Sequence, residues 1–336
     1  MTTITAAPDV RSEHDLLGDR DVPAAAYWGV HTLRAVENFP ITGQPLSTNM
    51  HLVRGLAAVK LAAARTNLEL GLLDPERAAA IETACTEVMN GHLHEQFVVD
   101  VIQGGAGTSS NMNANEVIAN RALEILGHPK GDYTRLHPND HVNLSQSTND
   151  VYPTAVKLGT IFAARELLSA LAELEEAFAE KALEFRTVVK MGRTQLQDAV
   201  PMTLGQEFGT YAITIGEDRL RLAEAGQLQL NAFEPIIVHS LHKSISHLEA
   251  ACRTLTARCI QGITANTDHL RQTVEQSIGL VTALNPHLGY TTATAIAQEA
   301  LATGKGVAEL VLEHGLLTHT QLQELLSPER LANLTK

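Results

Sequence analysis

Apolar residues recur at helical spacing along most of the chain, interrupted mainly by short polar segments. This pattern predicts a helix over residues 49–70 and another that starts at Pro75, with Asp74 as its N-cap. A polar stretch, QGGAGTSSNMNANE (103–116), leads into a third helix predicted from about 113 to 126. The first third of the chain is therefore expected to be mostly helical.

Longer helices are predicted farther along the chain. Continuous apolar periodicity covers residues 153–185, a second stretch begins at Pro201, and a third covers residues 236–262. Long helices in succession, each with an apolar stripe, are typical of a bundle in which the stripes are buried against one another. We therefore predict an all-α fold with a central bundle of long helices.

The two ends of the chain have sequence patterns that differ from those of the long predicted helices. Residues 1–48 are punctuated by prolines and predicted to be irregular, and no segment shows an alternation that indicates a β-strand. Beyond the bundle, short capped helices are predicted, including one with a capping box of Thr318 and Gln321. We predict an N-terminal mostly helical domain, a central helical bundle and a small C-terminal helical domain, with the bounds 1–142, 143–280 and 281–336.

Composition and charge narrow the class of protein. Aromatic residues make up only 4% of the chain, so alanine, leucine and valine must fill most of its core. The formal net charge of −13 argues against nucleic acid or an anionic membrane as the main partner. The three cysteines have no CxxC spacing, and no apolar run approaches a membrane span in length. Because no signal-peptide pattern opens the sequence either, we predict a cytoplasmic protein.

Three polar segments precede predicted helices and contain the same kinds of hydrogen-bonding side chains. They are QGGAGTSSNMNANE (103–116), NLSQSTND (143–150) and KMGRTQLQDAVPM (190–202). The free N–H groups and positive dipole end of a helix start bind carboxylates, and Ser, Thr, Asn and Gln side chains add further donors. Helix capping explains any one segment taken singly. Three segments, each longer than a cap requires, favour a site for a small molecule with two carboxylates.

Other motifs carry weaker signals. His239 and His242 can share one helix face, and His137 and His141 flank a proline in a loop. Neither pair has the carboxylate or cysteine pattern of a metal site, so packed or solvated imidazoles are favoured over a metal centre. The glycine-rich stretch contains no Gly-Lys-Ser/Thr, which argues against a nucleotide-binding loop.

Long strings in the chain identify it as similar to the aspartase/fumarase superfamily, and within that superfamily to the aspartase branch. The strings are LLGDRDVPAAAYWGVHTLRAVENF (16–39), GGAGTSSNMNANEVIAN (104–120), SQSTNDVYPTA (145–155), KMGRTQLQDAVPMTLGQEF (190–208), AEAGQLQLN (223–231) and SIGLVTALNPHLGY (277–290). The fumarase branch usually has Ser-Ser-Asn-Asp and Phe-Pro where this chain has STND and YP. It also has His at the position of Gln195.

The resemblance implies an all-helical, three-domain homotetramer in which each active site is assembled from three subunits. It implies no organic cofactor, and magnesium activates some members of the family. The implied reaction is the reversible anti elimination of ammonia from L-aspartate to give fumarate, with proton abstraction beside the distal carboxylate. That step produces an aci-carboxylate with two negative charges, which a dense set of hydrogen-bond donors would stabilise.

Matching motif positions imply which residues bind the substrate. Thr108, Ser147 and Thr148 would hold the carboxylate that becomes the dianion, and Ser109, next to Thr108, is assigned to the same substrate-binding set. For Ser147, helix capping remains an alternative role.

Three further positions complete the implied set. Asn149, Thr194 and Gln195 would hold the amine and the other carboxylate. The family's catalytic base, however, is a serine in a flexible loop with the signature Gly-Ser-Ser-x-Met-Pro-x-Lys-Val-Asn-Pro, and this loop is absent from the sequence. TIGEDRLRL instead runs directly into AEAGQLQLN, at a seam near residues 222–226, so a long internal segment of the family has no counterpart.

The missing loop changes the functional expectation. General-base catalysis needs a group within hydrogen-bond reach of the proton, and no other residue matches that role, so the chain is expected to keep substrate binding and lack its catalytic base. A bundle that lacks about two helices is also expected to expose apolar faces. Two other functions stay open: a non-catalytic dicarboxylate-binding or interaction subunit and, less favoured by the motifs, a fumarase-type hydratase.

Overall fold

A computed structural model describes residues 9–224 and 234–331, and helices dominate this part of the chain, as the sequence predicts. In chain order the α-helices are α1 (Val30–Asn38), α2 (Met50–Glu69), α3 (Pro75–Met89), α4 (Thr108–Ile125), α5 (Thr148–Glu184), α6 (Leu204–Glu224), α7 (Glu234–Arg258), α8 (Thr267–Gln276), α9 (Leu280–Leu288), α10 (Tyr290–Thr303), α11 (Val307–Glu313), α12 (His319–Leu325) and α13 (Pro328–Leu331).

The described residues form two compact units. The first contains the chain up to Leu167 and the described part of Ala223–Leu248, and the second contains Leu168–Leu222 and the residues from Glu249 onward. Helices α5 and α7 therefore contribute residues to both units. The division into domains at 142 and 280 stays a prediction.

The expectation of no β-structure is wrong at two places. Strands β1 (Val10–Asp15) and β2 (Gly18–Pro23) pair antiparallel in the segment that was expected to be irregular. Strands β3 (Val189–Thr194) and β4 (Gln197–Thr203) form a second hairpin, so the third polar segment is a hairpin and not a loop leading to a helix. Apolar and polar residues do not alternate regularly along these four strands, so neither hairpin has the pattern that indicates a half-buried strand.

Several helix boundaries also differ from the sequence expectation. Helix α4 begins at Thr108, about five residues early, and α5 begins at Thr148 with Pro153 inside it. Helix α6 begins at Leu204, because Pro201 belongs to β4. Part of the first two polar segments therefore forms the first turns of α4 and α5, where Asn111 and Asn113 donate hydrogen bonds to residues of other segments. By contrast, the Asp74 N-cap and the capping box at Thr318 are confirmed.

Close helix packing fixes the start of α5 in the first unit. A Cβ atom on Gly55 of α2 would lie 2.4 Å from the carbonyl oxygen of Ala155, and one on Gly159 would lie 2.9 Å from that of His51. Real side chains do not tolerate such distances, so glycine at these two positions allows the backbones of α2 and α5 to approach. The buried side chains around this contact include Leu52, Leu56 and other members of one apolar cluster.

In the second unit the later part of α5 packs on α6 through aromatic rings. The ring of Phe178 lies 6.1 Å from that of Phe208 and 5.5 Å from that of Tyr211, measured between centroids. A separate apolar cluster joins the helices after α7, with Leu284 and Leu310 fully buried. These contacts form a framework from which the β3–β4 hairpin projects, tied to it by the ion pair of Lys190 with Glu207 at 2.8 Å.

Apolar side chains are exposed on α6 and α7, as expected for a bundle that has lost helices. The exposed fractions are 44% for Tyr211, 65% for Ile213, 61% for Leu220, 55% for Leu248 and 40% for Leu255. The predicted seam lies at the end of α6, and its last residues, 225–226, fall outside the described residues. Within the part of the chain that the structure describes, no helix is long and apolar enough to span a membrane.

Candidate active site

The start of α4 is shaped by a run of left-handed residues. Gly105, Ala106 and Gly107 have φ values of 78°, 51° and 88°. A Cβ on Gly107 would lie 2.2 Å from Cγ of Tyr152 on α5, so only glycine fits between the two helices. This contact places the start of α4 directly against the first turns of α5.

Thr108 is the first residue of α4 and its side chain is exposed. Its hydroxyl donates a hydrogen bond of 2.7 Å to the carbonyl oxygen of Gly105, whereas Ser109 is buried. The side chain of Gln103 caps the helix by accepting the N–H of Ser110 at 2.8 Å. Thr108 must therefore rotate its hydroxyl away from the backbone before it can donate to a ligand, a change between staggered rotamers.

The start of α5 carries the next three predicted residues. Ser147 Oγ accepts the N–H of Asn149 at 3.3 Å, and the carboxylate of Asp150 accepts the N–H of Ser147 at 3.2 Å. This reciprocal pair is a capping arrangement, so the alternative role for Ser147 is present in the structure. The side chain of Asn149 is exposed.

Thr148 connects the two helix starts. Its Oγ1 atom accepts a hydrogen bond of 3.1 Å from Nδ2 of Asn111 on α4. Because that bond occupies a lone pair of the oxygen, the hydroxyl proton of Thr148 is left to donate elsewhere. Thr148 is thus better prepared than Thr108 to bind a carboxylate. Of the seven predicted residues, the five at these helix starts, 108–109 and 147–149, lie in the first unit, at two helix starts in contact.

Thr194 and Gln195 belong to the second unit and lie at the tip of the β3–β4 hairpin. Gln195 and Leu196 have φ values of 48° and 67°, as a tight two-residue hairpin turn requires. Arg193 steadies the turn by donating a hydrogen bond of 2.9 Å to the carbonyl oxygen of Leu196. Both predicted residues are exposed, and Leu196 is 89% exposed.

A buried lysine behind the α4 and α5 starts was not predicted. Lys60 on α2 donates hydrogen bonds of 2.7 Å to Oδ1 of Asn143 and 3.0 Å to Oε1 of Gln146. Asn111 donates to the same Asn143 oxygen at 3.2 Å and also to Thr148, so the network ends at a predicted substrate-binding residue. A lone lysine within the apolar run LAAVKLAAA is the sequence signal that could have revealed it.

Burial lowers the pKa of Lys60 from 10.5 to about 7. Between these two values the unfolded chain holds a proton that the folded chain releases, so the free energy of unfolding should rise with pH, by up to about 1.4 kcal/mol per pH unit. We expect Lys60→Met to lack this rise. Urea unfolding of both proteins between pH 7 and 9 measures it, and equal pH slopes for the two proteins would contradict the expectation.

Other polar residues of the 103–116 stretch hold the fold together. Glu116 is buried, and its carboxylate accepts backbone N–H groups of Gly29 at 2.8 Å, His31 at 2.8 Å and Thr32 at 3.0 Å. Glu116 therefore caps the start of α1 from another helix. Asn113 similarly donates a hydrogen bond of 3.0 Å to the carbonyl oxygen of Gln96 in the first unit. Only the beginning of the stretch is available to a ligand.

The loop histidines His137 and His141 accept hydrogen bonds from backbone N–H groups. Nδ1 of His137 accepts the N–H of Asn139 at 3.1 Å, and Nδ1 of His141 accepts the N–H of His137 at 2.7 Å. Across the described ranges, no group of three or more His, Cys, Asp and Glu side chains is arranged to hold a metal ion. The five predicted residues at the two helix starts carry alcohols and one amide, whose donors suit a carboxylate, while the carboxylate of Asp150 in the first turn of α5 caps Ser147.

Comparison with known proteins assigns the family. A family model described as Lyase matches residues 18–288, and one described as Fumarase C C-terminus matches residues 280–333. An aspartate ammonia-lyase of Pseudomonas fluorescens is 40% identical, with 98% of both chains covered. The aspartate ammonia-lyase of Escherichia coli K12 is 37% identical, with 96% of both chains covered.

Solved structures support the same assignment. A fumarate lyase:delta crystallin from Brucella melitensis, in native form, is 40% identical with a TM-score of 0.87 over 95% of this chain and 100% of that chain. A class II fumarase from Schistosoma mansoni is 25% identical with a TM-score of 0.83, over 97% of this chain and 100% of that chain. The aspartate ammonia-lyases cited above are thus more similar in sequence than this fumarase, in agreement with the motif residues.

The alignment with the Pseudomonas fluorescens relative also shows how many family positions have no counterpart in this chain. It extends over 467 positions, 131 more than the 336 residues of this chain, so at least that many positions of the alignment have no residue here. Because 98% of each chain lies in the alignment, these positions are internal to the match, and their placement in one segment at the seam stays a prediction. Taken together, the helix-start geometry, the family models and the relatives show that the chain belongs to the aspartase/fumarase family of lyases, as a carbon–nitrogen lyase of the aspartate ammonia-lyase type.

Proposed function

We propose that this chain binds L-aspartate and fumarate at the adjoining starts of α4 and α5, and that it eliminates ammonia from L-aspartate slowly because it lacks the family's base-bearing loop. The observation that carries the proposal is the contact of these two helix starts, joined by the hydrogen bond between Asn111 and Thr148. Two helix starts in contact place two positive dipole ends beside each other, and this favours the binding of a dianion.

The chemistry of the site favours stabilisation of charge over proton transfer. Elimination places two negative charges on one carboxylate, and the donors proposed to stabilise them are the hydroxyls of Thr108, Ser147 and Thr148. Ser109 adds a further hydroxyl at the α4 start. Alcohol groups bind an anion well but do not remove a carbon-bound proton at neutral pH without an activating base. Solvent is left as the acceptor of the proton, and turnover is correspondingly slow.

The hairpin residues are proposed to act on a second copy of the chain. Thr194 and Gln195 are exposed at a tight tip beside an apolar side chain, Leu196, that is almost fully exposed. An exposed leucine on a rigid hairpin is suited to contact with another subunit. We infer that the tip completes the amine end of the site, with Asn149, in a homo-oligomer. The tetramer, activation by magnesium and the cytoplasmic location remain predictions from the sequence.

Product analysis tests the proposed reaction. The purified chain is incubated with L-aspartate, and fumarate is followed by its ultraviolet absorbance while ammonia is assayed enzymatically. We expect fumarate and ammonia in equal amounts, and no comparable fumarate from L-malate. Faster conversion of malate than of aspartate would favour the hydratase alternative, and succinate binding without any turnover would favour the non-catalytic dicarboxylate binder.

Thr148→Val tests the binding residue. This variant keeps the shape of the side chain and removes the hydroxyl, so the affinity for succinate should fall about tenfold or more, because a hydrogen bond to a charged group contributes about 1.5–3 kcal/mol. Isothermal titration calorimetry measures the change. Thr154→Val, an exposed threonine of the same helix, is the matched control and should bind as the unaltered chain does. Equal affinity in both variants would remove Thr148 from the site.

A further inference from the structure

A second cavity lies in the first unit, and the substrate-binding residues do not line it. It has a volume of about 280 Å³, which is enough for a small ion with its bound water. Its walls come from residues 44–52, from Tyr152 of α5 and from one face of α7. Tyr152 also packs against Gly107, so the cavity lies directly behind the start of α4.

Helix α7 lines the cavity with side chains that carry a positive charge or acquire one when they are protonated. His239, His242, Lys243 and His247 line the cavity, and their spacing of three, four and eight residues places them on one helix face. The walls outside α7 are uncharged, and they include the polar side chains of Gln44, Thr48 and Asn49 together with apolar side chains such as Leu46 and Leu52. No carboxylate is among the residues that line the cavity, although the whole chain has a formal net charge of −13.

His242 has a second imidazole beside it. The ring of His51 on α2 lies 5.8 Å from that of His242, between centroids, and Nε2 of His51 lies 3.5 Å from the carboxylate of Glu166 on α5. Burial lowers the pKa of His242, and the nearby His51 and His239 lower it further, while a hydrogen bond to the Thr48 backbone opposes them. The histidines beside the cavity therefore take up a proton most readily when a negative ion binds at the same time.

We propose that this cavity is a second anion site, which binds a small oxyanion, a carboxylate or a phosphate, together with a proton taken up by the histidines of α7. Lys243 places an ammonium group at the wall, and the side-chain amides of Gln44 and Asn49 supply neutral donors. The carboxylate of Glu166 lies beside His51, and Glu166 is not among the cavity-lining residues. An uncharged or cationic ligand would gain nothing from this arrangement.

Calorimetry with sulfate tests the site, because the charge of sulfate is constant between pH 6 and 8. Sulfate affinity should be about tenfold or more higher at pH 6 than at pH 8, since binding requires a protonated imidazole and burial lowers the pKa of His242. Succinate is titrated in the Thr148→Val background to separate the two sources of oxyanion. Binding of sulfate alone indicates a phosphate ligand, and succinate binding in that background that Lys243→Met weakens at least threefold indicates a carboxylate ligand.

Exposed positions supply variants that should fold. Lys243→Met and His247→Gln are each expected to weaken sulfate binding at pH 6 at least threefold, and His242→Gln to reduce its pH dependence. Lys157→Met, an exposed lysine of α5 outside the cavity, should bind as the unaltered chain does. Thr148→Val should leave sulfate binding unchanged. The proposal is overturned if neither ion binds, if affinity is independent of pH, or if Lys243→Met and His247→Gln both bind like the control.

Discussion

Incubated with L-aspartate, the purified chain is expected to form fumarate about 10²–10⁴-fold more slowly than the Pseudomonas fluorescens relative, the range that a positioned general acid or base contributes. The physical reason is that the candidate site offers hydroxyl and amide donors to the aci-carboxylate but no activated base to the proton. Initial rates of fumarate formation at saturating L-aspartate, measured for both proteins under the same conditions, give the ratio.

A chimera provides the complementary experiment. Inserting the relative's unmatched segment at the seam near residues 222–226 restores the base-bearing loop and should recover most of the lost rate. The same insert with its base serine changed to alanine is the matched control, since it restores the helices without the base. If the unaltered chain turns over as fast as the relative, a base is present within the 336 residues and the proposal is wrong.

Replacement of Glu116 by alanine should lower the free energy of unfolding by about 3 kcal/mol or more, because three backbone N–H groups at the start of α1 lose their acceptor in a buried place. Burial raises the pKa of this carboxyl, and the donors of Gly29, His31 and Thr32 oppose that effect. Urea unfolding at neutral pH, followed by circular dichroism, measures the loss.

Two variants define the origin of the Glu116 effect. Glu116→Gln keeps the side-chain volume and one acceptor oxygen, but it turns an amide N–H₂ group toward a backbone donor, so we expect an intermediate loss of about 1–3 kcal/mol. Glu76→Ala removes an exposed glutamate near the start of α3 and should change stability by less than about 0.5 kcal/mol. A loss for Glu116→Ala no larger than that for Glu76→Ala would show that α1 does not depend on this cap.

The stretch 103–116 shows how far the sequence leads and where it fails. Its glycines and hydroxyls predicted an anion-binding helix start, and Gly107 does bring that start against Tyr152. The same residues suggested a loop up to about residue 113, yet the helix begins at Thr108 because its amides and Glu116 find partners on distant segments. Such partners are separated by tens of residues, so no local pattern can reveal them.

The hairpins and Lys60 were missed for a related reason. The β3–β4 hairpin turns through Gln195 and Leu196, which are not the Asn-Gly or Gly-Gly pairs that mark such turns. Lys60 lies within the helix predicted over residues 49–70, and only the approach of the segment holding Asn143 and Gln146 shows that its side-chain nitrogen has partners inside the protein. In both cases contacts between different segments stabilise the arrangement, and a local sequence pattern does not show such contacts.

The sequence by itself determined the helical class, the family motifs and the absence of the base-bearing loop, because each of these depends on local periodicity or on contiguous strings. The substrate-binding residues that the same strings imply stay a prediction. Tertiary structure alone decided that Thr148 and not Thr108 has its hydroxyl proton free to donate, because Asn111 arrives from another helix to occupy the oxygen lone pair. It also decided that His242 and Lys243 line one cavity and that the ring of His51 lies beside that of His242, because these residues of α7 and α2 are far apart in the sequence and meet only in the folded chain.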